Sequence, residues 1–161
     1  MKNFRLLITA LAFITLFSAC KKDDAPIKPK TKAEMISSTS GKKWKLVAST
    51  MSLVIPGKPT ETEDMLEDYE PCELDNLSIL FADKKYEERE GATKCDPTDS
   101  DLIGSGSWDL RNNDTEFVIT SDGDSFEYKV VEITETTIKV EDSLPLANGA
   151  VLVFTETYRA Q

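Results

Sequence analysis

Three cysteines, Cys20, Cys72 and Cys95, are the side chains of this sequence best suited to covalent or metal chemistry. Histidine is absent. That removes the commonest zinc ligand and the commonest general base, and it leaves any serine nucleophile without its usual partner. An odd cysteine count lets two pair and leaves a third needing another use. No C-x-x-C spacing occurs, so a redox or metal centre is disfavoured against a simple cystine. Asp96, Asp99 and Asp101 crowd one polar loop of the kind that can take calcium. Their spacing is not that of an EF-hand, and a solvated acidic loop is the plainer expectation. The seven glycines form no phosphate-cradling loop. These residues predict a protein that is not an enzyme, with no metal and no cofactor.

The elements that carry these residues must come from a single domain of 161 residues. A hydrophobic share of 40% suffices for one core. With 19 Lys and Arg against 29 Asp and Glu, the net charge is −10. That argues against a nucleic-acid partner, because a phosphate backbone demands a basic face.

Lys2 and Arg5 precede an apolar run, Leu6 to Phe17, and the small residues Ser18 and Ala19 follow. The order is that of a secretory signal, and the run is well short of the roughly 20 residues a spanning helix needs. Phe17-Ser18-Ala19-Cys20 resembles a bacterial lipoprotein lipobox. The resemblance implies cleavage after residue 19, a diacylglyceryl thioether on Cys20 and acylation of the new N-terminus. Several acyl chains on one residue hold firmly where one holds marginally. Cleavage removes Lys2 and Arg5 and shifts the charge from −10 to −12, so the domain should be repelled by anionic surfaces. Residues 20–38 then read as lipidated cysteine and tether, rich in Lys and Pro. Lys22-Asp23-Asp24 resembles the surface-export signal of Bacteroidetes lipoproteins. The expected location is the outer membrane, lipid-anchored, with cell-surface display or a periplasmic orientation both open.

If Cys20 carries lipid, Cys72 and Cys95 remain in an oxidising compartment, where a pair usually forms a disulfide. Thr31 to Ser38 is a candidate short helix ended by Gly41. From Trp44 onward the texture becomes short alternating runs. Strands are expected at 44–55, 77–81, 86–90, 104–110, from Phe117, at 126–133, at 137–141 and at 151–158, with turns at Pro56-Gly57, Asn112-Asn113-Asp114 and Asp122-Gly123. On the first, Trp44, Leu46 and Ala48 should share a face. Lys58 to Asn76 is the long acidic connection, where Met65, Leu66 and Tyr69 recur at about helical spacing. Eight strands at hairpin distances predict an all-β, antiparallel up-and-down barrel with a short N-terminal helix, over residues 39–161. An open two-sheet sandwich is the competing architecture.

Gly41-Lys42-Lys43-Trp44-Lys45-Leu46, Cys72-Glu73-Leu74-Asp75-Asn76 and Gly106-Ser107-Trp108-Asp109-Leu110, together with the lipobox, resemble the lipocalin-like domain of Bacteroidetes lipoproteins from about Ser38 to Gln161. The resemblance implies a cup-shaped barrel. The expected ligand is a small apolar or amphipathic molecule. Candidate lining residues are Trp44, Phe81, Trp108, Phe117, Phe126, Tyr128 and Phe154, with Met65, Leu66 and Tyr69 gating the open end. The plainer reading makes the tryptophans a plug and the other aromatics core. The rival function is a non-enzymatic accessory or protein-interaction module with a packed barrel, meeting an envelope protein through its acidic face.

Overall fold

A computed structural model describes residues 28–121 and 123–161. The leader 1–19 and Cys20 lie outside the described residues. The chain forms a short helix α1 (Lys32–Ile36) and nine strands: β1 (Lys42–Val54), β2 (Glu61–Asp64), β3 (Leu77–Leu80), β4 (Lys85–Arg89), β5 (Leu102–Arg111), β6 (Glu116–Ser121), β7 (Asp124–Ile133), β8 (Thr137–Pro145) and β9 (Val151–Ala160). All the strand pairings are antiparallel, and β1 pairs with both β3 and β9, which closes eight strands into a barrel. The ninth, β2, pairs with the far half of β1, Thr50 to Leu53, beyond the reach of β3. Closure satisfies the sheet edges that an open arrangement would leave bare.

The two ends of the barrel differ. At one end lie the β3–β4, β5–β6 and β7–β8 turns and the C-terminus. The β5–β6 turn takes its left-handed backbone at Asn112, Asn113 and Asp114, two residue types that tolerate it. Helix α1 packs across this end. Thr31 caps it in a reciprocal capping box with Glu34, and Ile36 is completely buried. The Trp44 indole N–H donates to Ile36 O at 2.9 Å, Lys32 Nζ donates to Asp114 O at 3.0 Å, and Lys42 Nζ reaches Met35 O and Glu135 O. Residues 31–38 are therefore part of the folded body. At the other end lie the β1–β2, β4–β5, β6–β7 and β8–β9 connections and the segment 65–76.

The core sits at the α1 end: Ile36, Trp44, Leu80, Tyr86, Trp108, Phe117, Ile138 and Val140 form one buried cluster. Trp108 is 1% exposed, stands 6.2 Å from the Phe117 ring and donates its indole N–H to Phe81 O at 3.0 Å. Beside it, Gly106 lies where β5 and β6 approach so closely that a Cβ would stand 1.8 Å from Thr120 O.

Two expectations change. A register shift between Leu46 and Ala48 leaves Val47 40% exposed and turns the strand, so that Ser49, not Ala48, follows Trp44 and Leu46 inward. A β-bulge adds one residue and so reverses the alternation beyond it. The helix expected through Met65, Leu66 and Tyr69 is only a 3-10 turn, Leu66–Asp68. The Met65 N–H is already committed to Ser49 O at 2.8 Å and Asp64 accepts from Leu66 N. The span left before Cys72 is too short for a stable helix.

Candidate functional site

Above the buried cluster the barrel interior is hollow. A cavity of about 620 Å³ opens toward the end opposite α1, within the roughly 300–1,000 Å³ typical of small-molecule sites. Strand alternation decides what lines it. The inner face of β1 gives Trp44 and Leu46, and that of β3 gives Ser78 and Leu80. Strand β4 gives Tyr86 and Glu88, and β6 gives Phe117 and Ile119. Strand β7 gives Asp124, Phe126 and Tyr128; β8 gives Ile138 and Val140; β9 gives Glu156 and Tyr158. Ile103 and Phe126 stand at the mouth, 46% and 48% exposed.

The segment 65–76 forms part of the mouth and contributes Tyr69, Glu73 and Asn76 to the lining. Three links fasten it to the β4–β5 loop. Cys72 and Cys95 form a disulfide with their Cα atoms 5.3 Å apart. Asp75 Oδ2 accepts from Thr93 N at 2.9 Å and from Thr93 Oγ1 at 2.7 Å; these bonds hold the Asp75 carboxyl below its usual range. Asn76 Oδ1 accepts from Gly91 N at 3.3 Å. The cystine closes a loop of sequence separation 23, and loop entropy at that length contributes roughly 3 kcal/mol.

Of the residues singled out in the sequence, Trp44, Tyr69, Phe117, Phe126 and Tyr128 line the cavity. Trp108 lies below it in the buried cluster, as a plug. Met65 and Leu66 are beside the mouth without lining it. Phe81 sits at the closed end beside Gly41, and Phe154 is at the rim, 37% exposed. The acidic loop residues serve the loop itself. Asp96 accepts from Thr98 N and Oγ1, and Lys94 pairs with Asp101 and donates to Asp99 O. Among the described residues no three Cys, Asp or Glu are grouped to hold a metal ion.

Sequence reasoning missed the polar part of the lining. The Tyr86 hydroxyl donates to Glu88 Oε2 at 3.3 Å, and the Tyr158 hydroxyl donates to Glu156 Oε2 at 2.7 Å. Burial pushes the Glu88 carboxyl above its ordinary value; the Tyr86 bond opposes this and the Glu156 charge adds to it. Burial, then the Glu156 charge, pushes the Tyr128 hydroxyl up to about 12 and the Tyr158 hydroxyl well above its usual range. Both hydroxyls therefore stay protonated at neutral pH, and that of Tyr158 is a donor. The signal for this set was parity. Glu88 shares the face of Tyr86, and Glu156 that of Tyr158.

No protein-family model matches the chain, and no curated protein matches it.

Proposed function

We propose that the protein is a lipid-anchored envelope barrel that binds a small molecule in its interior. The observation that carries the reading is the cavity itself. It is hollow, it opens at one end, and its lining combines aromatic and aliphatic side chains with carboxylates, hydroxyls and an amide that could orient a small molecule. The cystine and the Asp75–Thr93 bonds keep the mouth segment in place, so the chamber is preformed and little ordering entropy is lost on binding. The tyrosine-rich wall suits a ligand with an apolar body and one polar end.

Native mass spectrometry of the full chain purified from its own cells tests this. A bound small molecule is expected, released on denaturation. Protein of bare mass with a stoichiometric protein partner would overturn it. That outcome would favour the second reading, an interaction module of the envelope. The observation favouring that reading is the exposed apolar rim, where Leu144 is 53% and Phe126 48% exposed.

The anchor has a separate test. Cys20→Ala removes the thioether acceptor, and the protein should move from the membrane to the soluble fraction. Retention in the membrane would refute lipidation at this residue.

A further inference from the structure

The cavity is one-sided in charge. Glu73, Glu88, Asp124 and Glu156 face it, and among the described residues no Lys or Arg lines it. Some outward-facing acids have basic partners: Glu87 with Lys85 and Arg89, Asp109 with Lys84, Glu141 with Lys129. Among the described residues Glu88 and Glu156 take part in no ion pair and have tyrosine hydroxyls as their side-chain partners. Two carboxylates facing one chamber repel each other, and burial makes the Glu88 carboxyl more costly to ionise. A counter-charge arriving with a ligand relieves both penalties. The walls supply its second requirement. Tyr69 of the segment 65–76, Tyr86 of β4, Tyr128 of β7 and Tyr158 of β9 line the same chamber, and aromatic rings grouped around a cation attract it.

Resting on the small-molecule reading above, we propose that the ligand is an organic cation, an amine or quaternary ammonium, whose charged head sits between Glu88 and Glu156 among the tyrosine rings and whose apolar remainder lies against Phe117 and Phe126. The same chamber disfavours carboxylates and phosphates, since the charged side chains among its described lining residues are all acids. A bare metal cation lacks the oxygen cluster that would replace its water, whereas an organic cation needs none.

Calorimetric titration of the full chain with four matched probes decides it: phenethylamine, its N-trimethylated form, 2-phenylethanol and 3-phenylpropionate. Both cations should bind about tenfold or more tightly than the alcohol, and the carboxylate should bind worst. Glu156→Gln and Glu88→Gln each keep an oxygen for the tyrosine hydroxyl. Each should weaken the cations about tenfold while leaving the alcohol within about twofold, which also reports an intact cavity. If the alcohol or the carboxylate binds as tightly as the amine to the wild-type chain, the charge assignment is overturned and the small-molecule reading survives. If none of the four binds, the cation assignment is overturned, while the small-molecule reading stands or falls on the native mass spectrum. The wild-type series needs no variant, so it discriminates even where a substitution misfolds.

Discussion

Gly106→Ala should destabilise the barrel by about 3 kcal/mol, the upper end of what overpacking usually costs. The added Cβ would stand 1.8 Å from Thr120 O and 2.8 Å from Thr120 C. Both are backbone atoms of the neighbouring strand, so no side chain can turn aside. Relief requires β5 and β6 to separate where Gly106 is in register with Ser121 and Ser107 with Thr120. On the other side, Gly106 is also paired with Tyr86 of β4, so any shift of β5 disturbs two ladders and the adjacent Trp108. Glycine in a strand often marks such a close approach. With a urea m-value of about 2 kcal/mol/M, the midpoint should fall by about 1.5 M. A midpoint within about 0.3 M of wild type would show that the strands separate at little cost and that the approach is incidental.

Trp44→Ala should be as damaging, by about 3–5 kcal/mol. Trp44 is 1% exposed, and its register partners are Ser78 on β3 and Ala160 on β9, so it stands where the first and last strands of the ring meet. It is both floor of the chamber and roof over α1. Truncation leaves a void and strips Ile36 O of its donor. At roughly 2–4 °C per kcal/mol for a domain this size, the midpoint of thermal unfolding should drop by about 10 °C or more. Trp44→Phe separates the two contributions. It keeps an aromatic ring of most of the volume while losing the N–H and leaving a small void, so its cost should be about 1–3 kcal/mol. An alanine variant within about 1 kcal/mol of wild type would mean that α1 and the surrounding core close over the gap.

The barrel was legible because inward positions on most strands are apolar while their neighbours are charged, and because Pro, Gly, Asn and Asp mark the turns. The cystine was legible from the position and compartment inferred for the third cysteine. Strand β2 was not. Glu61-Thr62-Glu63-Asp64 offers no apolar alternation, and all four residues are exposed. It is ordered because β1 runs on past β3 and presents an unpaired edge. Ala48 was misplaced because a bulge is a matter of register, which composition does not record. The aromatic half of the chamber was readable by type. Glu88 and Glu156 were not, because a glutamate in an acidic chain reads as solvated surface until the sheet closes and its parity with a tyrosine sets it inside.

The placement of α1 has a consequence for orientation. The described chain enters at Lys28 beside the closed end, and the lysines of that end surround it: Lys32 and Lys42 bind turn and helix carbonyls, and Lys84 stands 4.0 Å over the Trp108 ring. The far end carries Glu61, Glu63, Asp64, Glu67 and Asp68 on and beside β2. The barrel is thus a vessel that the described chain enters at its base, with these lysines at the base and the β2 acids at the lip. The proposed anchor at Cys20 would draw the base toward whatever it is fixed to. Over an anionic surface the field turns the molecule the same way. The proposed anchor and the field would act together to hold the vessel upright, its mouth toward the solution from which the proposed ligand would come.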